Sequence, residues 1–167
     1  MKLSSAVKCI LPAAIFGFVA LGMTPTSAFA ATTATANVAV TATVQSNCTI
    51  TTGSMTFGTY TGAAASTTAT LTVTCTNTTP YNVGLNAGAT SGATVTTRQM
   101  LNGTATLNYG LYTNSTWTTN WGNTAGSWVA GTGNGSAQTL TVYGQIPAAQ
   151  FVTPGSYSDT VLATVNY

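Results

Sequence analysis

The sequence predicts an all-β chain, built as a β-sandwich of the immunoglobulin type. Three observations carry that expectation. Beyond residue 30, apolar residues alternate with Thr, Asn or Gly at a period of two, and no stretch there holds a helical spacing. The alternating runs are short and are separated by turn residues, and two cysteines stand near the start of the region.

Residues 1–30 read as a cleaved secretory signal. Lys2 and Lys8 supply the positive start, Ile10 to Leu21 the apolar stretch, and Ala28-Phe29-Ala30 a small-residue cleavage site ahead of Ala31. A retained membrane anchor is disfavoured, because the apolar run is about twelve residues and contains Pro12, whereas a spanning helix needs roughly 20. Cys9 lies before that run and is expected to leave with the signal. Removing 30 of 167 residues leaves 137, an ordinary size for one domain with a real core.

The alternation is cleanest over residues 31–45. Ala34, Ala36, Val38, Val40, Ala42 and Val44 share one parity, while Thr33, Thr35, Asn37, Thr41 and Thr43 hold the other. Strands are expected next at Cys48 to Thr51, at Met55 to Tyr60, and at Ala69 to Cys75, where Ala69, Leu71, Val73 and Cys75 share a face. Pro80 opens a strand with Tyr81, Val83 and Leu85 in phase. Gly88 to Gly92 reads as a loop, Arg98 to Leu101 as a short strand, and Ala105 to Leu111 as another. Residues 113–137 hold Trp117, Trp121 and Trp128 among Asn, Gly, Ser and Thr, and read as a long loop or ragged hairpin. Leu140 to Ile146 resumes a strand, and Pro147 and Pro154-Gly155 mark turns. Tyr157 to Tyr167 is expected as the last strand, with Val161, Ala163, Val165 and Tyr167 on one face.

Charge is nearly absent. Beyond the signal, Arg98 and Asp159 are the only charged side chains, which excludes nucleic acid as a partner, since its capture needs several cations. The chain is not disordered: it is 44% hydrophobic and rich in Val, Thr and Tyr. Catalysis also fails on inventory. With no His, no Glu and a single Asp, no general base, carboxylate pair or oxygen- and nitrogen-ligand metal site can be assembled, and no cofactor is expected. Arg98 and Asp159 could form a surface ion pair of about 0 to 1 kcal/mol. Cys48 and Cys75, the cysteines that survive cleavage in an exported chain, are expected to form a disulfide worth roughly 3.5 kcal/mol.

Several motifs together resemble a known family. They are Asn47-Cys48-Thr49-Ile50, Phe57-Gly58-Thr59-Tyr60, Leu71-Thr72-Val73-Thr74-Cys75, Tyr81-Asn82-Val83, Leu107-Asn108-Tyr109-Gly110-Leu111-Tyr112, Trp121-Gly122, Val142-Tyr143-Gly144-Gln145-Ile146-Pro147 and Tyr157-Ser158-Asp159-Thr160-Val161. Their order over residues 37–167 resembles the spore coat protein U domain of archaic, Csu-type chaperone-usher pilus subunits. The resemblance implies an immunoglobulin-like sandwich lacking its final strand. A periplasmic chaperone would fill the resulting groove first and the next pilin subunit later, with an outer-membrane usher delivering the filament to the cell surface. Residues 31–45 would be the donor strand, with Ala34, Ala36, Val38, Val40, Ala42 and Val44 facing the groove. Residues 46–167 would be the pilin domain, its last strand meeting chaperone or sheet through Val161, Ala163, Val165 and Tyr167. Adhesion and biofilm formation are the implied service.

Blander readings stand beside this one. Alternation alone favours residues 34–44 as an ordinary first strand paired within its own sandwich. A secreted, monomeric, carbohydrate-binding module would use the three tryptophans as a stacking platform, although tryptophans more often anchor cores and loops. An outer-membrane barrel would need longer lipid-facing strands with aromatic girdles. A two-domain tip adhesin does not fit 137 residues.

Overall fold

The computed structural model describes residues 31–167. The expected signal, with Ala28 and Ala30 at its cleavage site, lies outside the described residues, and Ala31 is the first of them. The chain divides into two units, residues 1–41 and 42–167. In the first, residues 31–41 form neither helix nor strand, and every one of them is exposed.

The second unit begins with residues 42–47, also exposed and without regular structure. Eight strands follow: β1 (Cys48–Thr52), β2 (Ala65–Cys75), β3 (Pro80–Leu85), β4 (Arg98–Asn102), β5 (Ala105–Tyr112), β6 (Val129–Thr132), β7 (Ala137–Ile146) and β8 (Ala163–Asn166). They form a five-stranded sheet in the order β1-β2-β7-β5-β4 and a three-stranded sheet in the order β6-β3-β8. Every pairing is antiparallel. The fold is thus an all-β, immunoglobulin-like sandwich.

The period of two explains the layering. Leu71, Val73 and Cys75 of β2 are buried while Thr70, Thr72 and Thr74 face outward, and Tyr81, Val83 and Leu85 supply the opposing face from β3. β2 is the backbone of the larger sheet, pairing with β7 from Ala65↔Ile146 to Thr74↔Ala137. Cys48 and Cys75 face each other in the β1–β2 register and are bonded, with Cα atoms 4.1 Å apart.

Four sequence expectations are refined or changed. Residues 113–137, read as a long loop or ragged hairpin, include an edge strand, Val129–Thr132, paired with β3, and Trp121 is in the core, the commoner setting for a tryptophan, 1% exposed and donating its indole N–H to Val83 O at 2.8 Å. Met55 to Tyr60 forms no strand, and the last strand shrinks to Ala163–Asn166. Finally, Arg98 is fully buried and its hydrogen-bond partners are main-chain carbonyls rather than Asp159.

Candidate functional site

The expected strand that fails to form and the expected last strand, which forms only at its end, line the same trough. Met55 and Phe57 line one wall, Val161 and Ala163 the other, and Leu71 and Leu111 the floor of a cavity of about 380 Å³. It continues through Met55, Phe57, Met100 and Tyr157 into a wider hollow of about 800 Å³ bounded by residues 150–157. The side chains along the walls are half-buried, because they pack on the core from one side only. Phe57 meets Tyr109 edge-on, with ring centroids 6.2 Å apart. A Cβ at Gly144 would collide with the Met55 sulfur and the Phe57 ring, so this bare position on β7 lets the wall settle inward.

The backbone along residues 157–166 is satisfied on one edge. Ser158 exchanges two hydrogen bonds with Leu101 (2.9 and 3.1 Å), Asn86 N donates to Leu162 O at 3.0 Å, and β8 pairs with β3. Burial alternates strictly from Tyr157 to Val165, so this segment is extended although only its end is a strand. Alternate residues of an extended chain turn their N–H and C=O to opposite edges. Since Ser158 and Leu162 use the β3 and β4 side, Val161, Ala163 and Val165 turn theirs to the other edge. There, among the described residues, β8 has no strand neighbour. Val161, Ala163 and Val165 are half-buried and Tyr167 is 59% exposed.

Sequence reasoning overlooked the groups that brace the trough. Arg98 donates Nε–H to Asn86 O (2.8 Å), Nη1–H to Val95 O (2.8 Å), and Nη2–H to Leu85 O (3.0 Å) and Trp121 O (2.7 Å). Burial lowers its pKa, against the opposing pull of Tyr109, Asp159 and Tyr112. The Tyr109 hydroxyl donates to Asp159 Oδ2 at 2.6 Å, and Asp159 Oδ1 accepts from Ala89 N at 2.8 Å. Burial first, and then that carboxylate, push the Tyr109 pKa far above its ordinary value. Gly88, at φ +93°, is required there because Asp159 fills the place a Cβ would take. The signal for this cluster was the rarity of charge itself: a chain that keeps one Arg and one Asp beyond residue 30 buries the first and half-buries the second.

The expected donor residues belong to no strand. Val38, Val40 and Val44 are 84%, 87% and 86% exposed, and Ala34, Ala36 and Ala42 are exposed as well. The tryptophans occupy unlike settings. Trp121 is core, Trp128 is half-buried, and Trp117 is 36% exposed at φ 52° on a turn held by Asn114. Among the described residues, no group of His, Cys, Asp or Glu is placed to hold a metal ion.

An open-edged sandwich of this kind has known relatives. Residues 34–164 match the Spore Coat Protein U domain, and the chain belongs to that family. It is 40% identical over 79 residues to Protein U of Myxococcus xanthus, a match covering 46% of this chain and 44% of that protein. The chain therefore matches less than half the length of that curated relative. Its fold is similar to a chain in the crystal structure of the CsuC–CsuE chaperone–tip adhesion subunit pre-assembly complex from archaic chaperone-usher Csu pili of Acinetobacter baumannii. That similarity has a TM-score of 0.54 and 24% identity, and covers 75% of this chain and 40% of the other.

Proposed function

We propose that this chain is a structural, non-catalytic subunit of a chaperone-usher pilus, polymerising by donor-strand complementation. Residues 34–44 of one copy fill the trough of the next. One observation carries the reading: the backbone edge of Val161 and Ala163 that no strand covers borders a trough into which Met55, Phe57, Leu71 and Leu111 also face. The same sequence also carries an exposed segment whose small apolar residues alternate at the period such an edge accepts. Ala34, Ala36, Val38, Val40, Ala42 and Val44 would face inward and the threonines outward. Before assembly, a periplasmic chaperone would cover the same edge; the similar solved structure is itself a chaperone–subunit pre-assembly complex. The usher, export behind residues 1–30, and service in surface adhesion and biofilm formation belong to the same reading.

The parity of the alternation supplies the test. Burying Val38, Val40 and Val44 would contribute roughly 1.5 to 3 kcal/mol each, whereas an unpaired buried carboxylate costs several kcal/mol. Val40→Asp should abolish the heat-resistant ladders that assembled copies give on gels, while Thr41→Asp is tolerated. Equal ladders from both variants, or from a chain lacking residues 31–44, would leave the segment without a linking role.

A further inference from the structure

Phe151 is 90% exposed, yet it stands on a fixed loop. Ala149 N donates to Gly62 O at 2.8 Å, Gln150 N to Tyr60 Oη at 3.1 Å, and Tyr60 Oη to Pro147 O at 2.6 Å. The Gln150 side chain accepts from Asn108 N (2.8 Å) and donates to Asn108 O (2.9 Å), standing in for a neighbouring strand. The Phe151 ring is therefore held in water rather than left there by a loose loop. With Val152, Tyr157, Met55 and Phe57 it extends the apolar rim of the wider hollow, and exposed apolar patches of this kind mark contact surfaces.

The opposite end of β2 carries a different surface. Ala65 pairs with Ile146 at one end of the strand and Cys75 with Cys48 at the other. The eleven residues of β2 separate the two ends by about 33 Å at 3.3 Å per residue. Two turns gather around Cys48: Thr76 N donates to Asn47 O (2.9 Å), Thr78 N to Gly133 O (2.8 Å), and Gly135 N to Cys75 O (3.1 Å). Asn134 and Gly135 are exposed in the turn of residues 133–136, and the open peptide at Gly135, where nothing would meet a Cβ, is a surface on which an aromatic ring can lie.

Chain length brings these two ends together. A strand added antiparallel to β8, like every ladder of this fold, runs toward the Phe151 end, because β8 itself runs from there toward Cys48. Val44 then emerges beside Phe151, and the four steps from Val44 to Cys48 span at most about 14 Å. We infer that Phe151 seats a second contact between consecutive copies, receiving the turns at residues 76–79 and 133–136 of the copy whose N-terminal segment fills the trough. The inference rests on the function proposed above.

The experiment uses filaments assembled from the full chain. Phe151→Cys combined with Asn134→Cys should give covalent ladders on non-reducing gels, with Cys48–Cys75 intact by peptide mass and no ladder from either single variant. Filaments that assemble normally without the covalent ladder overturn the contact, as does a ladder from Phe151→Cys alone, which would mean like meets like. Phe151→Ser should keep filaments but shorten their persistence length at least twofold in electron micrographs; an unchanged persistence length also overturns it. If unaltered copies never link, the donor-strand reading itself fails, and that is seen before any variant is made.

Discussion

Arg98 puts a cation in the core with four carbonyl acceptors drawn from residues 85, 86, 95 and 121. Removing a buried partner leaves each acceptor to bear its own desolvation, about 1 to 3 kcal/mol apiece before relaxation. Arg98→Ala should therefore cost at least about 3 kcal/mol in urea unfolding, and Arg98→Lys should rescue little, because an ammonium cannot reproduce the planar fork. An unchanged urea midpoint for Arg98→Ala would show that the guanidinium bears no structural load. Tyr109 gives a pH signature. Its folded-state pKa is raised above the ordinary 10.0, so its contribution is complete below that value and is lost as pH climbs above it. Tyr109→Phe should lower stability at neutral pH and flatten its alkaline fall, as read by thermal melts between about pH 8 and 11. Neither role was legible beforehand. Composition counted the charges, but only the fold brings Leu85, Val95 and Trp121 around one guanidinium.

At the level of elements, the paired strands were readable and the unpaired ones misled. Leu71, Val73 and Cys75 announce β2, and Tyr81, Val83 and Leu85 announce β3, because inward residues at period two need only a core to face. Met55 to Tyr60 and Tyr157 to Leu162 carry the same alternation, yet a strand also needs a continuous hydrogen-bonded neighbour, and the second segment has only an isolated bridge at Ser158 and one main-chain bond at Leu162; that requirement is invisible in one segment's pattern. β6 failed the other way: Val129-Ala130-Gly131-Thr132 has little apolar signal, and it is an edge strand because β3 lies alongside. A synthetic peptide of residues 34–44 should therefore slow amide exchange at Val161, Ala163 and Val165 by at least tenfold. Thr164, already turned toward β3, should change far less. Uniform protection of both sets, or of neither, would contradict the edge assignment.

Over the whole molecule, the near absence of charge has a measurable result. Beyond residue 30 no His or Lys is present to titrate, so unfolding free energy should be nearly flat between about pH 5 and 9. It should likewise change little between low salt and about 0.15 M, since few exposed charges remain to be screened. A stability change above about 1 kcal/mol across either range would require ionic interactions absent from the folded chain described above. The covalent tie is the exception to this reliance on packing and hydrogen bonds. Cys48→Ser with Cys75→Ser should cost roughly 3.5 kcal/mol in the chain-entropy account.

That tie also has a mechanical consequence. If a filament is pulled, tension reaches each subunit through the residues just before Cys48, the first residue of an edge strand with only five paired positions. The sulfur bridge diverts the load at its point of entry into Cys75 and so into β2, whose ten registered pairs with β7 are sheared together rather than peeled one by one. The 27-residue separation between the cysteines stays slack behind the bridge. A reduced subunit stretched on a force probe should yield at lower load and pay out roughly 90 Å more chain than an oxidised one.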